Sequence, residues 1–227
     1  MHTFQKSSSV TFGLGVLALL GMVGDRAAQA QTAVSYSRAG NFGVVGAQFS
    51  LGYSFTPTQN LFLTALGYLN DGATGANATH QVQIYQITSG GVAAPASGTA
   101  LLGMPVSVTT SGVSSAFNTF TYVPVSGLTL LANTPYEIVA NDNGNGFAYN
   151  AVSPVFSGIT YGTSTFTLGA TTPVFNNNVF PANDPGNFGP NFQFTRVLPV
   201  PESSSLMLLT AGGLGLLGLR RLKRSFS

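Results

Sequence analysis

The sequence predicts an all-β protein with a central antiparallel β-sandwich of the jelly-roll type, flanked by a short apolar helix at each end. Eight to ten short segments of the body, rich in β-branched and aromatic residues, alternate with turn sequences rich in Gly, Asn and Pro. No segment of the body has the apolar period of a helix, so a parallel sheet would lack its crossover helices. The 227 residues include no cysteine, so an apolar core must hold the fold without disulfide bonds.

Residues 1–30 are typical of a secretory signal peptide. Lys6 precedes an apolar run over residues 10–23, and Ala28 and Ala30 supply the small side chains that a signal peptidase recognises. We therefore expect a helical leader that is cleaved before Gln31. The short apolar run and the Ala-x-Ala sequence disfavour a retained N-terminal anchor.

Residues 31–197 are expected to form one domain, because about 170 residues are enough to bury a sizeable core. Each predicted strand is short and is followed by turn or loop residues such as Gly, Pro, Asn and Asp. The predicted strands span residues 41–55, 61–69, 80–87, 106–110, 117–123, 136–140, 147–150, 163–168 and 192–196, with a further short strand at 128–131. Residues 93–103 are expected to form a loop or an irregular edge, and 171–190 a long loop, since Pro and Gly interrupt both.

The segment at 80–87 has a two-sided pattern. Gln81, Gln83 and Tyr85 alternate with Val82, Ile84 and Gln86, so one side of this strand is expected to face solvent.

The body carries little charge. Between residues 31 and 199, two basic and four acidic side chains leave a net charge of −2. They are Arg38, Arg196, Asp71, Glu137, Asp142 and Asp184. A nucleic-acid partner is not expected, because neutralising phosphates requires clustered Lys and Arg.

An apolar segment near the C-terminus is a candidate membrane helix. Residues 206–219 are uncharged and would form a helix of about 21 Å, against a hydrocarbon core of roughly 30 Å. Arg220, Arg221, Lys223 and Arg224 follow it, and by the positive-inside rule they hold this end in the cytoplasm. The sequence Pro-Val-Pro-Glu-Ser at 199–203 precedes it.

Residues 198–227 resemble a PEP-CTERM sorting signal, in which a Pro-Glu motif, a short hydrophobic helix and a basic cluster follow one another. Val200, Pro201, Glu202 and Ser203 form the motif, with Ser203 where the usual motif has a second proline. The resemblance implies a Gram-negative source, cleavage by the membrane enzyme exosortase, a transient inner-membrane anchor, and a final place at the cell surface or in the extracellular matrix. An ordinary membrane anchor is the alternative.

Part of the body is similar to the small β-sandwich ectodomains often found ahead of PEP-CTERM tails. The similarity spans residues 42–150. It is carried by Gly-Tyr-Ser-Phe at 52–55, Thr-Ala-Leu-Gly-Tyr at 64–68, Asn-Asp-Gly at 70–72, His-Gln-Val-Gln-Ile-Tyr at 80–85 and Thr-Pro-Tyr-Glu-Ile-Val-Ala at 134–140. These motifs are structural, so the resemblance implies a fold and no particular activity.

Residues suited to catalysis or metal binding are few, and we expect no catalytic, cofactor or metal site. His80 is the single histidine of the body, and no Gly-x-Ser-x-Gly motif accompanies it, so we expect a hydrogen-bonded residue at the start of a strand. Glu137 and Asp142 would need to face each other across a cleft to act as a glycosidase pair. The Asn-Asp-Asn-Gly-Asn-Gly segment at 141–146 offers oxygen ligands for Ca²⁺ but a single carboxylate, so a turn is expected there.

Three classes of function remain open. The expected one is a non-enzymatic, exported surface or matrix protein associated with exopolysaccharide. A carbohydrate-binding module would need several of the eight tyrosines exposed on one face, whereas packing between neighbouring strands is their expected role. An extracellular hydrolase would need His80 to lie close to Asp71, Glu137 or Asp142.

Overall fold

A computed structural model of the chain describes residues 29–37, 41–43, 48–70, 78–110, 119–143, 147–149, 151, 153–180, 186 and 188–196. Within these ranges every regular element is a β-strand, and every strand pairing is antiparallel. The predictions of an all-β fold and of antiparallel sheets are therefore confirmed for the described part of the chain.

The strands are short, and most are connected by turns. They are β1 (Gln31–Thr32), β2 (Val34–Ser35), β3 (Asn41–Gly43), β4 (Phe49–Pro57), β5 (Leu61–Leu69), β6 (Thr79–Ser89), β7 (Ser97–Ala100), β8 (Val106–Thr109), β9 (Phe120–Pro124), β10 (Thr129–Leu130), β11 (Tyr136–Asn141), β12 (Phe147–Tyr149), β13 (Val155–Phe156), β14 (Ile159–Leu168), β15 (Asn178–Val179) and β16 (Pro190–Arg196).

The first sheet has the order β1-β16-β5, and the far edge of β5 pairs with both β9 and β10. β10 pairs with the start of β5 at Leu61 and Phe62, and β9 pairs with its later part, from Ala65 to Leu69. The register with β16 changes between Gln193 and Phe194, because Thr64 is an extra residue in β5 and forms a bulge there. Strands β9 and β10 thus share one edge of the sheet.

The second sheet has the order β15-β14-β4-β11-β6, and the far edge of β6 pairs with both β7 and β8. Two small pairings, β3 with β12 and β2 with β13, lie outside the two main sheets. The central strand β11 is flanked on both sides, so it has no free edge.

The two sheets share one apolar core. Side chains from the first sheet and from the second belong to the same buried cluster, as strand alternation directs successive side chains to opposite faces. From the first sheet these are Leu61, Leu63, Leu66, Tyr68, Phe192 and Phe194, and from the second Tyr53, Phe55, Val82, Ile84, Ile138 and Ala140. Phe55 and Phe192 connect the two sheets directly, with ring centroids 5.1 Å apart.

Three local predictions need correction. The segment expected as a loop or irregular edge at 93–103 contains the edge strand β7, and the expected long loop at 171–190 contains β15 and the first residue of β16. The solvent-facing side predicted for β6 is wrong at Gln83, which is only 3% exposed. Its side chain is covered by residues 101–102, where Nε2 donates to the carbonyl of Leu102 at 3.0 Å.

Several sequence predictions lie outside the described residues. They include the two flanking helices, Ala28 of the signal cleavage site, the sorting motif Val200, Pro201, Glu202 and Ser203, and the basic residues Arg220, Arg221, Lys223 and Arg224. Ala30 is described and exposed, just before β1. In the described ranges, no helix has the length and apolar character that crossing a membrane requires.

Candidate functional site

The central strand β11 is buried on both faces, and polar side chains lie on the face opposite the core. Tyr136, Ile138 and Ala140 belong to the core, while Glu137 and Asn141 project to the opposite face of the sheet. Glu137 has no solvent exposure, and Asn141 is 3% exposed. Buried polar groups need hydrogen-bond partners, so another part of the chain must cover this outer face.

A segment of irregular chain, residues 171–177, supplies that cover, and we call it the strap. Ser50 on β4 binds it twice, donating from Oγ to the carbonyl of Val174 at 3.1 Å and accepting from the Val174 N–H at 3.2 Å. Asn141 on β11 donates from Nδ2 to the carbonyl of Thr171 at 3.1 Å. Tyr85 on β6 donates its hydroxyl to the carbonyl of Pro173 at 3.2 Å. The strap therefore crosses three strands of the second sheet.

Phe175 and Asn176 complete the contacts of the strap. The Phe175 ring meets Tyr85 edge to face at 5.7 Å, and it lies against Gly98 on β7. Asn176, fully buried, donates its backbone N–H to Oε2 of Glu137 at 3.2 Å and its Nδ2 to Oγ1 of Thr165 at 3.3 Å. Glu137 thus lies beneath the strap in a closed polar layer.

The electrostatic environment of Glu137 favours its neutral form. Burial raises the pKa of this carboxyl from 4.5 to about 8, and hydrogen bonds from Thr165 and from the Asn176 backbone lower it in part. Oε1 of Glu137 and Oδ1 of Asn176 are buried with no hydrogen-bond partner among the described residues. Protonation of Glu137 converts one of these two acceptors into a donor. The pKa of Tyr85 is also raised, by burial and then by the nearby Glu137.

The described part of the candidate calcium loop, residues 141–143, uses its ligand oxygens internally. Oδ1 of Asn141 accepts from the Gln81 N–H at 2.6 Å, and Oδ1 of Asp142 accepts from the Phe49 N–H at 3.0 Å. Oδ1 of Asn143 accepts from Nδ2 of Asn141 at 2.8 Å, and Asn143 has the positive φ of 48° that Asn tolerates in turns. These contacts are those of a turn, and no group of three metal-ligating His, Cys, Asp or Glu side chains occurs among the described residues.

His80 lies at the second position of β6 and faces the core. It is 1% exposed, its ring stacks on Tyr68 with centroids 3.6 Å apart, and Nδ1 lies 2.8 Å from the carbonyl of Asn141. A carbonyl only accepts, so Nδ1 carries the proton in this contact. The prediction of a hydrogen-bonded histidine at the start of a strand is confirmed.

The carboxylates considered for hydrolysis do not converge. Glu137 lies in β11, and Asp142 is the residue directly after this strand, five positions further along the chain. An odd separation in extended chain places the two side chains on opposite faces, and five residues span roughly 16 Å. A glycosidase pair needs about 5–9.5 Å. His80 faces the core while Glu137 faces the strap. Ala140 pairs with Val82, and extending this antiparallel register by two residues places Asp142 opposite His80. Both of these side chains are buried. Asp71 lies outside the described residues.

The tyrosines whose side chains are described pack inside the protein. Tyr36, Tyr53, Tyr68 and Tyr136 are at most 5% exposed, and Tyr85, Tyr122 and Tyr161 are partly covered. Tyr53 illustrates the role, since its ring is within 6.1 Å of those of Phe55, Tyr161 and Phe188. The expected packing role is confirmed for these residues, and an exposed stacking face made of them is not present.

The sequence analysis missed the strap and the side chains that hold it. In β4, the small residues Ser50, Gly52 and Ser54 alternate with the large apolar residues Leu51, Tyr53 and Phe55. This pattern indicated that the second face of β4 packs closely against another segment of the chain. Asn176 carried no signal, because its partner Glu137 is 39 residues away in the sequence. A comparison with protein-family models gave no match, and a comparison with curated proteins found no significant similarity.

Proposed function

We propose that this chain is an exported, non-enzymatic protein of the bacterial cell surface or extracellular matrix, processed by signal peptidase and exosortase and associated with exopolysaccharide. The proposal joins the export signals of the sequence, residues 1–30 and 198–227, to a body whose two described carboxyl side chains, Glu137 and Asp142, are buried. It involves no cofactor and no nucleic-acid partner.

The proposal includes a jelly-roll sandwich for the body, and strand order supports it. In chain order, the strands of the two main sheets alternate between them except at the steps from β6 to β7 and β8 and from β9 to β10, and at the extra strands β14 and β15. The orders β1-β16-β5-β9 and β4-β11-β6-β8 then describe two sheets linked by Greek-key connections, the arrangement of a jelly roll. Strands β14 and β15 extend the free edge of β4.

The observation that carries the functional proposal is the nearly uncharged exterior of the part of the body that the structure describes. Among the described residues, the side chains with a formal charge at neutral pH in their ordinary state are Glu137, Asp142 and Arg196. The two acids are buried, so Arg196 is the one such group exposed in the described part. Hydroxyl and amide groups of Ser, Thr, Asn and Gln dominate the remaining polar surface. Such a surface suits hydrogen bonding to a neutral polysaccharide and lacks the charge needed to attract a polyelectrolyte.

The sorting part of the proposal is tested by mass spectrometry of the mature protein from an exosortase-containing Gram-negative host. We expect a C-terminus near Pro201 to Ser203 and no peptides from residues 206–219. Glu202→Gln is expected to leave the tail uncleaved, and Ser225→Ala, beyond the basic cluster, is expected to be processed normally. Intact tail peptides on surface-exposed protein would leave an ordinary anchor and overturn the sorting proposal.

The exopolysaccharide part is tested by co-sedimentation of the processed protein with purified host polysaccharide. Binding by hydrogen bonds from an uncharged surface should change less than about twofold between roughly 0.05 and 0.5 M salt, where screening removes most charge–charge attraction. No co-sedimentation at any salt concentration would contradict this part while leaving the sorting result intact.

A further inference from the structure

The strap and Glu137 form a closed unit on the outer face of the second sheet. The bonds described for the strap run to side chains of that face: Ser50, Tyr85, Glu137, Asn141 and Thr165. After the strap, backbone pairing between strands resumes at β15, where Asn178 and Val179 pair with β14. The strap can therefore separate from this face without breaking any backbone pairing between strands of the sheet.

We propose that a protonated Glu137 holds the strap closed and that ionisation of this carboxyl releases residues 171–177 from the outer face of the second sheet. The strap would then act as a pH-sensitive cover over a strip of hydroxyl and amide side chains. This inference concerns the fold alone and does not depend on the proposed function.

Among the residues that the structure describes, no group that faces Glu137 carries a positive charge. From β4 the cross-strand neighbour is Ser54, from β6 it is Tyr85, from β14 Thr165 approaches, and from the strap Asn176. Tyr85 is the one titratable group among them, and its hydroxyl is engaged by the Pro173 carbonyl. Arg196, the one Lys or Arg in the described residues, belongs to β16 in the other sheet. An ionised Glu137 would therefore be a buried charge without a counter-charge, which is costly.

Opening the strap is the smallest movement that relieves this charge. Oε1 of Glu137 has no donor while the strap is closed, and the strap is the layer between this carboxyl and solvent. Global unfolding would also hydrate the carboxylate, but it would break the whole core as well. With the pKa of the carboxyl at about 8 when covered and near its ordinary 4.5 when hydrated, the closed state is favoured most in acidic solution. The open state gains population as the pH rises between these two values, and the gain is complete above about pH 8.

A cysteine reporter tests the proposal, because the chain contains no cysteine of its own. Val174→Cys places a thiol on the strap and keeps the backbone bonds to Ser50. Thr58→Cys, at an exposed turn, corrects for the pH dependence of thiol reactivity. In the full chain, the corrected labelling rate at position 174 should rise at least about tenfold between about pH 6 and pH 9.5. In the Glu137→Gln background, which cannot ionise, it should stay constant within about twofold.

A rise of the same size in both backgrounds, or no rise in either, would overturn the proposal. A direct titration covers the case in which Glu137→Gln does not fold. The chain has two glutamates, Glu137 and Glu202, so carboxyl ¹³C labelling of glutamate gives two NMR signals, assigned with Glu202→Gln. A midpoint near 8 for Glu137 is the expected result, and a midpoint near 4.5 contradicts the proposal.

Discussion

At Gly52, strands β4 and β11 leave no room for a side chain. A Cβ atom built there would overlap the backbone oxygen of Ile138, and this oxygen belongs to the central strand of the sheet. We expect Gly52→Ala to destabilise the fold by more than the 1–3 kcal/mol typical of overpacking, or about 3 kcal/mol and above. Denaturant unfolding measures this loss in the free energy of unfolding. Gly103→Ala, where a new Cβ meets nothing within 4 Å, is the control and should change stability by less than about 0.5 kcal/mol.

Three core residues are expected to contribute comparably to stability. Phe55, Leu66 and Ile84 are fully buried in the cluster shared by the two sheets. Each substitution by Ala should cost roughly 2–5 kcal/mol, because it removes apolar contacts and leaves a cavity. Leu168→Ala is the control, since Leu168 is 65% exposed. Equal effects at Leu168 and at the core positions would contradict this assignment of the core.

The sequence predicted the surroundings of some residues but not of others. The two-residue alternation around Phe55 and Ile84 was enough to predict burial, since period two is a local property of a strand. The burial of Glu137 was not predictable in that way, because its cover comes from Asn176 in a distant irregular segment. Tyr85 was expected to face solvent, and it is partly covered for the same reason.

At the scale of elements, Ser50 tests the attachment of the strap. Its hydroxyl both donates to and accepts from the backbone of Val174, so Ser50→Ala leaves the partly buried N–H and carbonyl of Val174 without this partner. We expect a loss of about 1–3 kcal/mol in the free energy of unfolding. Ser107→Ala, at an exposed position of β8, should have little effect. A loss as small as that of the control would show that the Val174 backbone finds other partners.

The turn after β11 gives a further prediction at this scale. Oδ1 atoms of Asn141, Asp142 and Asn143 already accept internal hydrogen bonds, so Ca²⁺ would have to displace them. We expect no change in melting temperature in about 10 mM Ca²⁺, a concentration that would saturate an extracellular site with a Kd of roughly 10⁻⁴–10⁻³ M. A rise above about two degrees that EDTA reverses and Asp142→Ala abolishes would contradict this.

Some elements were predictable from the local sequence pattern, and others were not. The nine residues of β5 coincide with the predicted strand at 61–69, and β10 lies within the predicted 128–131. Strands β1, β2, β13 and β15 have two residues each, too few to show any period. β1 and β15 each pair with a longer strand, and β2 and β13 pair with each other, so their partners are set by the tertiary fold. The strap had no pattern at all, since irregular chain is positioned by tertiary contacts alone.

At the scale of the whole molecule, Glu137 should make stability depend on pH. The folded state keeps a proton on this carboxyl up to about pH 8, whereas the unfolded chain releases it near 4.5. Between these values the folded state binds more protons, so the free energy of unfolding decreases as pH rises. The stabilisation is fully present below about pH 4.5 and is lost once the pH passes about 8. Its size is on the order of a few kcal/mol.

The comparison of the original chain with Glu137→Gln isolates this effect, because other groups titrate equally in both. Denaturant midpoints measured from about pH 5 to pH 9 should fall more steeply with pH for the original chain than for the variant. The measurements stay below about pH 10 because of two buried tyrosines. Burial raises the pKa of Tyr53 and raises that of Tyr122 to about 12, so ionisation of these groups in the unfolded chain would further lower the free energy of unfolding. Parallel pH profiles for the two proteins would mean that Glu137 does not hold its proton in the folded state. A steeper fall for the original chain at unchanged slope of unfolding free energy against denaturant would assign the loss to this one buried carboxyl.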